Sequence, residues 1–228
     1  MFKVADLFDL SQTAHVALFV SDGPAWEALP RIKDYLAESL QPANLATVSP
    51  QAIVGENVSI GEGTIVAAGT CIEGPAIIGR NCQIRHNAYI RAQVIVGDNC
   101  VVGNACELKN ALLFNDCQVP HFNYVGDSIL GHHAHLGAGV VLSNFKSLPG
   151  NVTVQHGDDI IDTGLRKFGA LIGDHTEIGC NSVLNPGSII GRDCVLYPNI
   201  TFTGVLPARR IVKNKTELAV VEKRETVE

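Results

Sequence analysis

Three histidines, His132, His133 and His135, lie within a stretch of four residues. Histidine is a common zinc ligand, and a catalytic zinc site needs three ligands that converge on one point and leave a fourth position open. Adjacent residues on a strand point to opposite sides, so His132 and His133 are not expected to reach one ion. We therefore predict no metal site and interpret the three histidines as surface or subunit-contact residues.

The seven cysteines are a second group that could carry chemistry. Their number is odd and no two have the Cys-x-x-Cys spacing, which argues against a disulfide framework or a zinc site. We predict structural free thiols, which behave as small apolar groups. Five of them share one position of the repeat described next, namely Cys82, Cys100, Cys106, Cys117 and Cys194, whereas Cys71 and Cys180 lie outside it.

A repeat with a period of six residues must position these side chains. One aliphatic or aromatic residue recurs at every sixth position, with two steps shortened to five residues and one interruption between 142 and 172. These positions are Val54, Ile60, Val66, Ile72, Ile78, Ile84, Ile90, Val96, Val102, Leu108, Leu113, Val119, Val125, Leu130, Leu136, Leu142, Ile172, Ile178, Leu184, Ile190, Leu196 and Phe202. A period of six fits neither an amphipathic helix nor an alternating strand, and it predicts a hexapeptide-repeat β-helix.

Each hexad of such an all-β solenoid supplies one short strand and one turn. Three hexads close a coil, and successive coils stack as parallel strands about 4.8 Å apart. The aliphatic residue points inward, and a second inward position follows four residues later. Small or slim residues occupy it because stacked coils leave little room there: Thr64, Thr70, Ala76, Cys82, Ala88, Val94, Cys100, Cys106, Thr176, Ser182, Ser188 and Cys194.

Composition and length agree with one elongated domain. The chain has 228 residues, only 6% aromatic residues and a net charge of -6, which argues against a nucleic-acid partner. Neither a targeting leader nor an apolar run that could span a bilayer is evident, so we expect a cytoplasmic protein without a membrane partner.

The repeat also divides the chain into three parts. Residues 1–50 lack it, and their apolar stripe predicts a small helical cap that covers the open end of the solenoid. Residues 51–206 form the β-helix, from which a loop at 145–171 departs. Pro207 is expected to stop the solenoid, so that residues 207–228 form an extended tail.

Arg91 and Lys109 are spaced one coil apart, and each directly follows an inward residue. Their side chains should therefore stack on the outer surface, with Glu73 one coil before them. Glu73 can neutralise Arg91 alone, and two like charges at this spacing repel each other. A phosphate bound by both cations would remove the repulsion. The alternative is that two solvated side chains splay apart.

The surrounding sequence resembles a known enzyme family. It reads Ile90-Arg91, Leu108-Lys109, Pro120-His121-Phe122-Asn123-Tyr124-Val125-Gly126, Gly137-Ala138-Gly139 and Asn144-Phe145 in that order. This order resembles the Ile-Arg, Val-Lys, Gly-His-x-x-Tyr-x-Gly, Gly-Ala-Gly and Asn-Tyr motifs of one acetyltransferase domain. That domain is the C-terminal part of the bifunctional N-acetylglucosamine-1-phosphate uridyltransferase/glucosamine-1-phosphate acetyltransferase. The resemblance covers roughly residues 50 to 205.

The resemblance implies a left-handed β-helix that forms homotrimers with active sites between subunits. The implied reaction transfers an acetyl group from acetyl-CoA to the amine of an amino sugar phosphate, glucosamine 1-phosphate or a related sugar. The implied site residues are His121 and Asn144 for catalysis, Arg91, Lys109, Tyr124, His135 and Lys146 for the substrate, and Ala138, Cys180, Pro198 and Arg209 for the cofactor. His121 would accept the proton of the attacking amine. Backbone N–H groups near Gly137 and Ala138 would stabilise the oxyanion.

The chain departs from the family pattern at four places. His135 replaces an asparagine, Phe145 a tyrosine and Cys180 a serine, and Leu196-Tyr197-Pro198-Asn199 stands where the family has a Gly-Ala-Gly turn. The resemblance therefore does not fix the sugar or the CoA contacts. Two alternatives are a non-catalytic hexapeptide solenoid that binds a sugar nucleotide or a partner protein and, less favoured, a metal enzyme of the γ-carbonic anhydrase type.

Overall fold

The computed structural model describes residues 2–19, 23–215 and 221–222. Two α-helices, α1 (Val4–Leu7) and α2 (Ala28–Ser39), and 3-10 turns at Leu10–Gln12, Val16–Leu18 and Ala25–Glu27 precede the strands. The first strands are β1 (Ala43–Asn44), β2 (Thr47–Val48), β3 (Ile53–Val54), β4 (Val58–Ile60), β5 (Ile65–Val66), β6 (Cys71–Ile72), β7 (Ala76–Ile78), β8 (Gln83–Ile84), β9 (Tyr89–Ile90), β10 (Val94–Val96), β11 (Val101–Asn104), β12 (Glu107–Leu113) and β13 (Gln118–His121). The others are β14 (Tyr124–Leu130), β15 (His135–Leu136), β16 (Val141–Leu142), β17 (Thr153–His156), β18 (Asp159–Asp162), β19 (Ala170–Ile172), β20 (Glu177–Ile178), β21 (Val183–Leu184), β22 (Ser188–Ile190), β23 (Val195–Leu196), β24 (Thr201–Phe202), β25 (Val205–Leu206) and β26 (Ile211–Val212).

The strands form a left-handed parallel β-helix of hexapeptide repeats, so the predicted fold class is confirmed. Except for β17 and β18, each strand pairs in parallel with strands one coil away, as where Ile65 pairs with Gln83 and Gln83 with Val101. The offset shortens from eighteen to seventeen residues where Val101 pairs with Gln118. The two five-residue steps of the repeat therefore tighten individual coils without breaking the stack.

The core lies inside the coils, as the repeat predicts. From Ile60 to Leu196 the inward aliphatic residues are at most 1% exposed. The thiols at the small inward positions are buried and free, and their Sγ–H groups donate to backbone carbonyls of the next coil. Cys82 donates to Gly97 (3.1 Å), and Cys117 to Gly131 (3.0 Å). Thr64 does the same with its hydroxyl, which explains why small residues with a donor suit this position.

The corners of the coils require left-handed backbone conformations. One corner column consists of non-glycine residues with φ between 55° and 64°: Asn81, Asn99, Asp116, His133, His175 and Asp193. Asn, Asp and His tolerate this conformation better than other non-glycine residues. Phe122, with a φ of 52° at another corner, is an unusual occupant because bulky side chains are disfavoured there.

The N-terminal segment packs along one side of the solenoid, so the expectation that it caps the open end is wrong. Outward residues of one face are buried under α1, α2 and the turns between them, namely Ile95, Leu112, Ile129, Leu171 and Ile189. The segment also hydrogen-bonds across the face: the N–H of Asn115 donates to the Gln12 carbonyl, and the N–H of Asp9 donates to the Asp174 carboxylate. An apolar outward column must be covered, and this one attracts the amphipathic segment.

The other two boundaries differ in detail from the prediction. A loop with an antiparallel hairpin of β17 and β18 leaves the solenoid after Asn144 and ends before β19, so residues 170 and 171 of the predicted loop belong to the solenoid. Strand β26 lies beyond Pro207 and pairs with β23, so the solenoid does not stop at this proline. The rest of the predicted tail, 216–220 and 223–228, lies outside the described residues. Among the described helices, none is long and apolar enough to cross a membrane.

Candidate functional site

One corner of the solenoid is irregular in three consecutive coils. Strands β12 and β14 run through this corner as seven-residue strands at the shortened steps, and in the following coil the loop departs after Asn144. The loop returns to the same corner, since the N–H of Phe168 donates to the Asn144 carbonyl (3.0 Å). The departures from the repeat therefore converge at one place.

A buried carboxylate, Asp127, lies at the centre of this corner. Its side chain is 6% exposed. Both carboxylate oxygens lie 3.0 Å from Nζ of Lys109, and Asn110 and Asn144 donate to them through their Nδ2 groups at 2.9 and 2.5 Å. The structure therefore brings Lys109 and Asn144, two predicted site residues, into one network through a third residue that the sequence analysis missed.

Arg91 also has a carboxylate partner, Glu107, at 3.0 Å. Glu73 instead accepts a hydrogen bond from the hydroxyl of Tyr89, so the predicted pairing of Glu73 with Arg91 is wrong. Because Lys109 is neutralised by Asp127, the repulsion that we expected between the two stacked cations is compensated within the chain. A bound phosphate is therefore not required to keep Arg91 and Lys109 together.

Tyr124 lies next to this network and is half-buried. Burial and the nearby carboxylates of Glu107 and Asp127 raise the pKa of its hydroxyl. Gly126 makes room for it: an added Cβ would lie 2.6 Å from the Tyr124 hydroxyl and 2.7 Å from Nδ2 of Asn144. The polar corner thus presents a neutral phenol, an amide and a lysine on one surface.

His121 lies at the end of β13, on a different strand from this network, and is exposed. Its backbone is held by Asn123, which is 2% exposed and occupies a small inward position. The Asn123 side chain accepts from the His121 N–H (3.0 Å) and donates to the Gly137 carbonyl (2.7 Å). Asn123 therefore fixes the turn that carries His121 against the next coil. Within the described residues, the imidazole of His121 makes no hydrogen bond.

An apolar groove of about 340 Å³ continues from this position along the stack. Its lining includes His135, Cys180, Tyr197 and Pro198, so three predicted site residues lie together. In the three coils that follow His121, the equivalent position is held by Ala138, Cys180 and Pro198. Backbone hydrogen bonds show this register: Gly139 donates to the His121 carbonyl, Asn181 to that of Ala138 and Asn199 to that of Cys180. The groove and the imidazole therefore share one edge of the solenoid.

The backbone donors at this edge are only partly available. The N–H of Gly137 donates to the Ile178 carbonyl (2.7 Å), so it cannot serve the oxyanion as the resemblance implied. In the described part of the chain, the N–H of Ala138 makes no hydrogen bond. Ala138 is therefore the remaining candidate donor.

The other predicted site residues have local partners. His135 contacts the Glu177 carboxylate through Nδ1, and Lys146 donates to the Asn151 carbonyl within the loop (3.0 Å). Arg209 lies 3.9 Å from Asp193, with a side chain that is 84% exposed. The structure does not bring Lys146 or Arg209 to either the polar corner or the groove.

The histidine cluster differs from the expectation. His132 and His133 lie in a turn, where the left-handed backbone of His133 directs both side chains outward. Their ring centroids are 4.2 Å apart, so the expectation that they point to opposite sides is wrong.

Two of the residues that the sequence analysis missed left a signal. Asp127 lies inside a shortened step of the repeat, between Val125 and Leu130, and Lys109 lies inside the other. Asn123 is an amide at a position otherwise held by small or apolar residues. Interruptions of a regular pattern are where functional residues are expected.

The fold and the repeat define a hexapeptide-repeat β-helix protein, and comparisons with known sequences agree. A family model described as the GMPPB C-terminal domain matches residues 72–163, and one described as bacterial transferase hexapeptide (six repeats) matches residues 169–202. The first match includes the polar corner and His121. The second match includes Cys180 and Pro198.

Curated relatives confirm the resemblance to the bifunctional family. The chain is 34% identical over 90 residues to the bifunctional sugar-1-phosphate nucleotidylyltransferase/acetyltransferase of Sulfurisphaera tokodaii, which is 40% of this chain and 22% of that protein. It is 31% identical over 118 residues to the bifunctional protein GlmU of Methanococcus maripaludis, which is 51% of this chain and 28% of that protein. The chain therefore matches only about a quarter of the length of these relatives.

Solved structures with a similar fold include a UDP-N-acetylglucosamine acyltransferase from Campylobacter jejuni. The TM-score is 0.43 at 15% identity, over 70% of this chain and 68% of that chain. Another is the acetyltransferase domain of PglB from Neisseria gonorrhoeae in complex with acetyl coenzyme A, with a TM-score of 0.28 at 15% identity over 72% and 48% of the two chains.

Proposed function

We propose that this protein transfers an acetyl group from acetyl-CoA to the amine of an amino sugar phosphate, glucosamine 1-phosphate or a closely related sugar. We further propose that it acts as a cytoplasmic homotrimer. The observation that carries the proposal is the shared edge of His121 and the apolar groove, with Asn123 holding His121 in place. The names of the curated relatives, which include sugar-1-phosphate and acetyltransferase, support the same reaction class.

In the proposed reaction, the substrate amine attacks the thioester carbonyl while His121 accepts the amine proton. An exposed imidazole suits this role because histidine is the side chain that most often acts as a general base. The tetrahedral intermediate then collapses, the C–S bond breaks, and the proton held by His121 passes to the departing sulfur to give the CoA thiol. The free N–H of Ala138 would stabilise the oxyanion of the intermediate. The pantetheine arm of acetyl-CoA would lie in the groove beside Cys180 and Pro198.

The polar corner would bind the sugar phosphate. Arg91 is 40% exposed at its side chain and can add a phosphate to its pairing with Glu107. Tyr124 and Asn144 would orient the sugar, while Lys109 contributes positive charge. His135 would contact the substrate from the groove side.

A site shared between subunits would bring together groups that lie on different strands of one chain. His121 ends β13 and Asp127 lies within β14, and the left-handed corner at Phe122 separates the two strands. A partner subunit that placed its polar corner beside His121 would complete the site. Residues from two chains are expected at such interfaces in closed oligomers.

The assay for the proposed function is thiol release from acetyl-CoA on addition of a panel of amino sugar phosphates. His121→Ala is expected to lower turnover by about 10²–10⁴-fold. His86→Ala is the matched control, because His86 is exposed at the equivalent place two coils earlier and lies outside the proposed site. Binding of sugar nucleotide without any turnover would instead favour the non-catalytic solenoid.

The shared site has a separate test. His121→Ala and Asn144→Ala variants, each inactive alone, are unfolded, mixed and refolded. Random assembly should restore about a quarter of the wild-type activity, since an intact site then needs one unmodified residue from each of two chains. If the mixture stayed as inactive as its components, the site would lie within one chain.

A further inference from the structure

The solenoid stacks metal-ligating residues at one corner away from the proposed reaction. Asp116, His133 and His175 occupy one column of left-handed corner residues in successive coils. Backbone bonds keep this register, as the N–H of His133 donates to the Asn115 carbonyl (3.3 Å) and that of His175 to the His132 carbonyl (2.8 Å). Stacked coils repeat about every 4.8 Å, so a carboxylate and two imidazoles lie one above another.

Three side chains at this corner, those of Asp116, His132 and His133, converge closely enough to bind one ion. Asp116, His132 and His133 each offer one ligand atom, and these atoms lie within 4.8 Å of one another. The ring of His175 follows at 5.4 Å from the rings of both His132 and His133. Donors at such mutual distances could surround one ion, since ligands 2.0–2.2 Å from a tetrahedral zinc are roughly 3–4 Å apart.

Hydrogen bonds also fix the orientation of the His132 imidazole. Nδ1 of His132 lies 3.0 Å from the backbone carbonyl of Asn115, an acceptor, so Nδ1 donates to it, and the Asp116 carboxylate lies 3.6 Å from the same nitrogen. Nε2 is then the nitrogen of His132 that is left to bind a metal ion. The turn itself is fixed because the N–H of His132 donates to the Asp174 carboxylate (2.8 Å), which is 3% exposed. In metal sites, a hydrogen bond from the second ring nitrogen, such as that of His132 Nδ1 to the Asn115 carbonyl, orients the histidine ligand.

We propose that Asp116, His132 and His133 form a binding site for one divalent transition-metal ion of the zinc type, with water or His175 as the fourth ligand. Two imidazoles and one carboxylate favour zinc over Mg²⁺ or Ca²⁺, which prefer all-oxygen ligands. The ion would join two adjacent coils, because Asp116 belongs to the coil before His132 and His133. The site is independent of the proposed acetyl transfer and reverses the expectation of no metal.

The test is a Zn²⁺ titration of the full chain after removal of metal with a chelator, read by competition with a chromophoric zinc indicator. We expect one saturable site per chain. Asp116→Asn and His133→Asn should each weaken Zn²⁺ binding by more than about 10-fold, the lower range for loss of a supporting residue in metal sites. Asparagine tolerates the left-handed backbone at both positions, so the fold is retained.

The matched control is His135→Gln, which removes an imidazole from the same surface but outside the three ligands. It should leave the Zn²⁺ affinity unchanged. Zn²⁺ should also raise the melting temperature of the wild type and of His135→Gln but not that of the two ligand variants. Absence of a saturable site in the wild type, unchanged affinity in both ligand variants, or loss of binding only in His135→Gln would overturn the proposal.

Discussion

Replacing Asp127 by asparagine should destabilise the protein by more than its small change in size suggests. All three partners of the carboxylate, Lys109, Asn110 and Asn144, are hydrogen-bond donors. An amide has a donor where one carboxylate oxygen was, so at least one donor will face another donor. The backbone itself accepts the change, because asparagine tolerates the φ of 45° at this position.

The magnitude follows from the burial of the pair. Two unit charges 3.0 Å apart attract by about 5–6 kcal/mol at an effective dielectric constant of 20, but removing both from water offsets much of this. Removing one partner of a fully buried pair costs about 3–5 kcal/mol because the other charge is left alone. The Lys109 side chain is 21% exposed and regains some water, so we expect Asp127→Asn to cost about 2–3 kcal/mol.

A double-mutant cycle with Lys109→Met isolates the pair. The double variant has neither charge, so its loss should be smaller than the sum of the single losses by about 2 kcal/mol. Urea unfolding of all four proteins at one chain concentration measures this, because oligomer stability depends on concentration. Strictly additive losses, or an Asp127→Asn loss of under about 0.5 kcal/mol, would refute the buried network.

Three further predictions concern other parts of the molecule. Ala105 and Phe122 have left-handed backbone conformations that asparagine tolerates better, so Ala105→Asn and Phe122→Asn should each raise the free energy of unfolding by about 0.5–1 kcal/mol in urea titrations. Only Phe122→Asn, which lies beside His121, should also lower turnover. Cys180 should react with Ellman's reagent in the native protein, whereas Cys100 should react only after denaturation, because burial raises its pKa. Burial lowers the pKa of His15, so the unfolded chain binds the proton more tightly than the folded chain does. The free energy of unfolding should therefore fall as the pH drops from about 7 to 5. His15→Gln should flatten this pH dependence, and an unchanged slope would exclude His15 as its source.

The parts of the fold that follow from local pattern were predictable. The inward positions are set by a period of six, and residues such as Ile84 and Leu136 are buried as expected. The side on which the N-terminal segment packs was not predictable, because it depends on an outward apolar column that is noticed only once the coils are stacked. Leu112 belongs to this column, and in the sequence it is simply one more aliphatic residue near an inward position.

The members of the candidate site were proposed from sequence motifs, whereas their contacts could not be predicted. Lys109, His121 and Asn144 were identified from motifs, yet the partner of Lys109 depends on a coil that is one residue short. The placement of the histidine rings was not predictable either, because the left-handed backbone of His133 brings its ring beside that of His132. A period counts positions along a chain and does not specify which way a corner residue turns.

The lateral packing of the N-terminal segment has a consequence for the order of folding. Asp9 hydrogen-bonds with Asp174, which lies 165 residues later, and the apolar surface under the segment extends to Ile189. On the ribosome this segment is made before the strands that it covers, and the surface under it is complete only after Ile189 has been synthesised. Contacts of such long sequence separation form slowly. The segment is therefore expected to reach its final position only after the strands that form the surface under it have stacked.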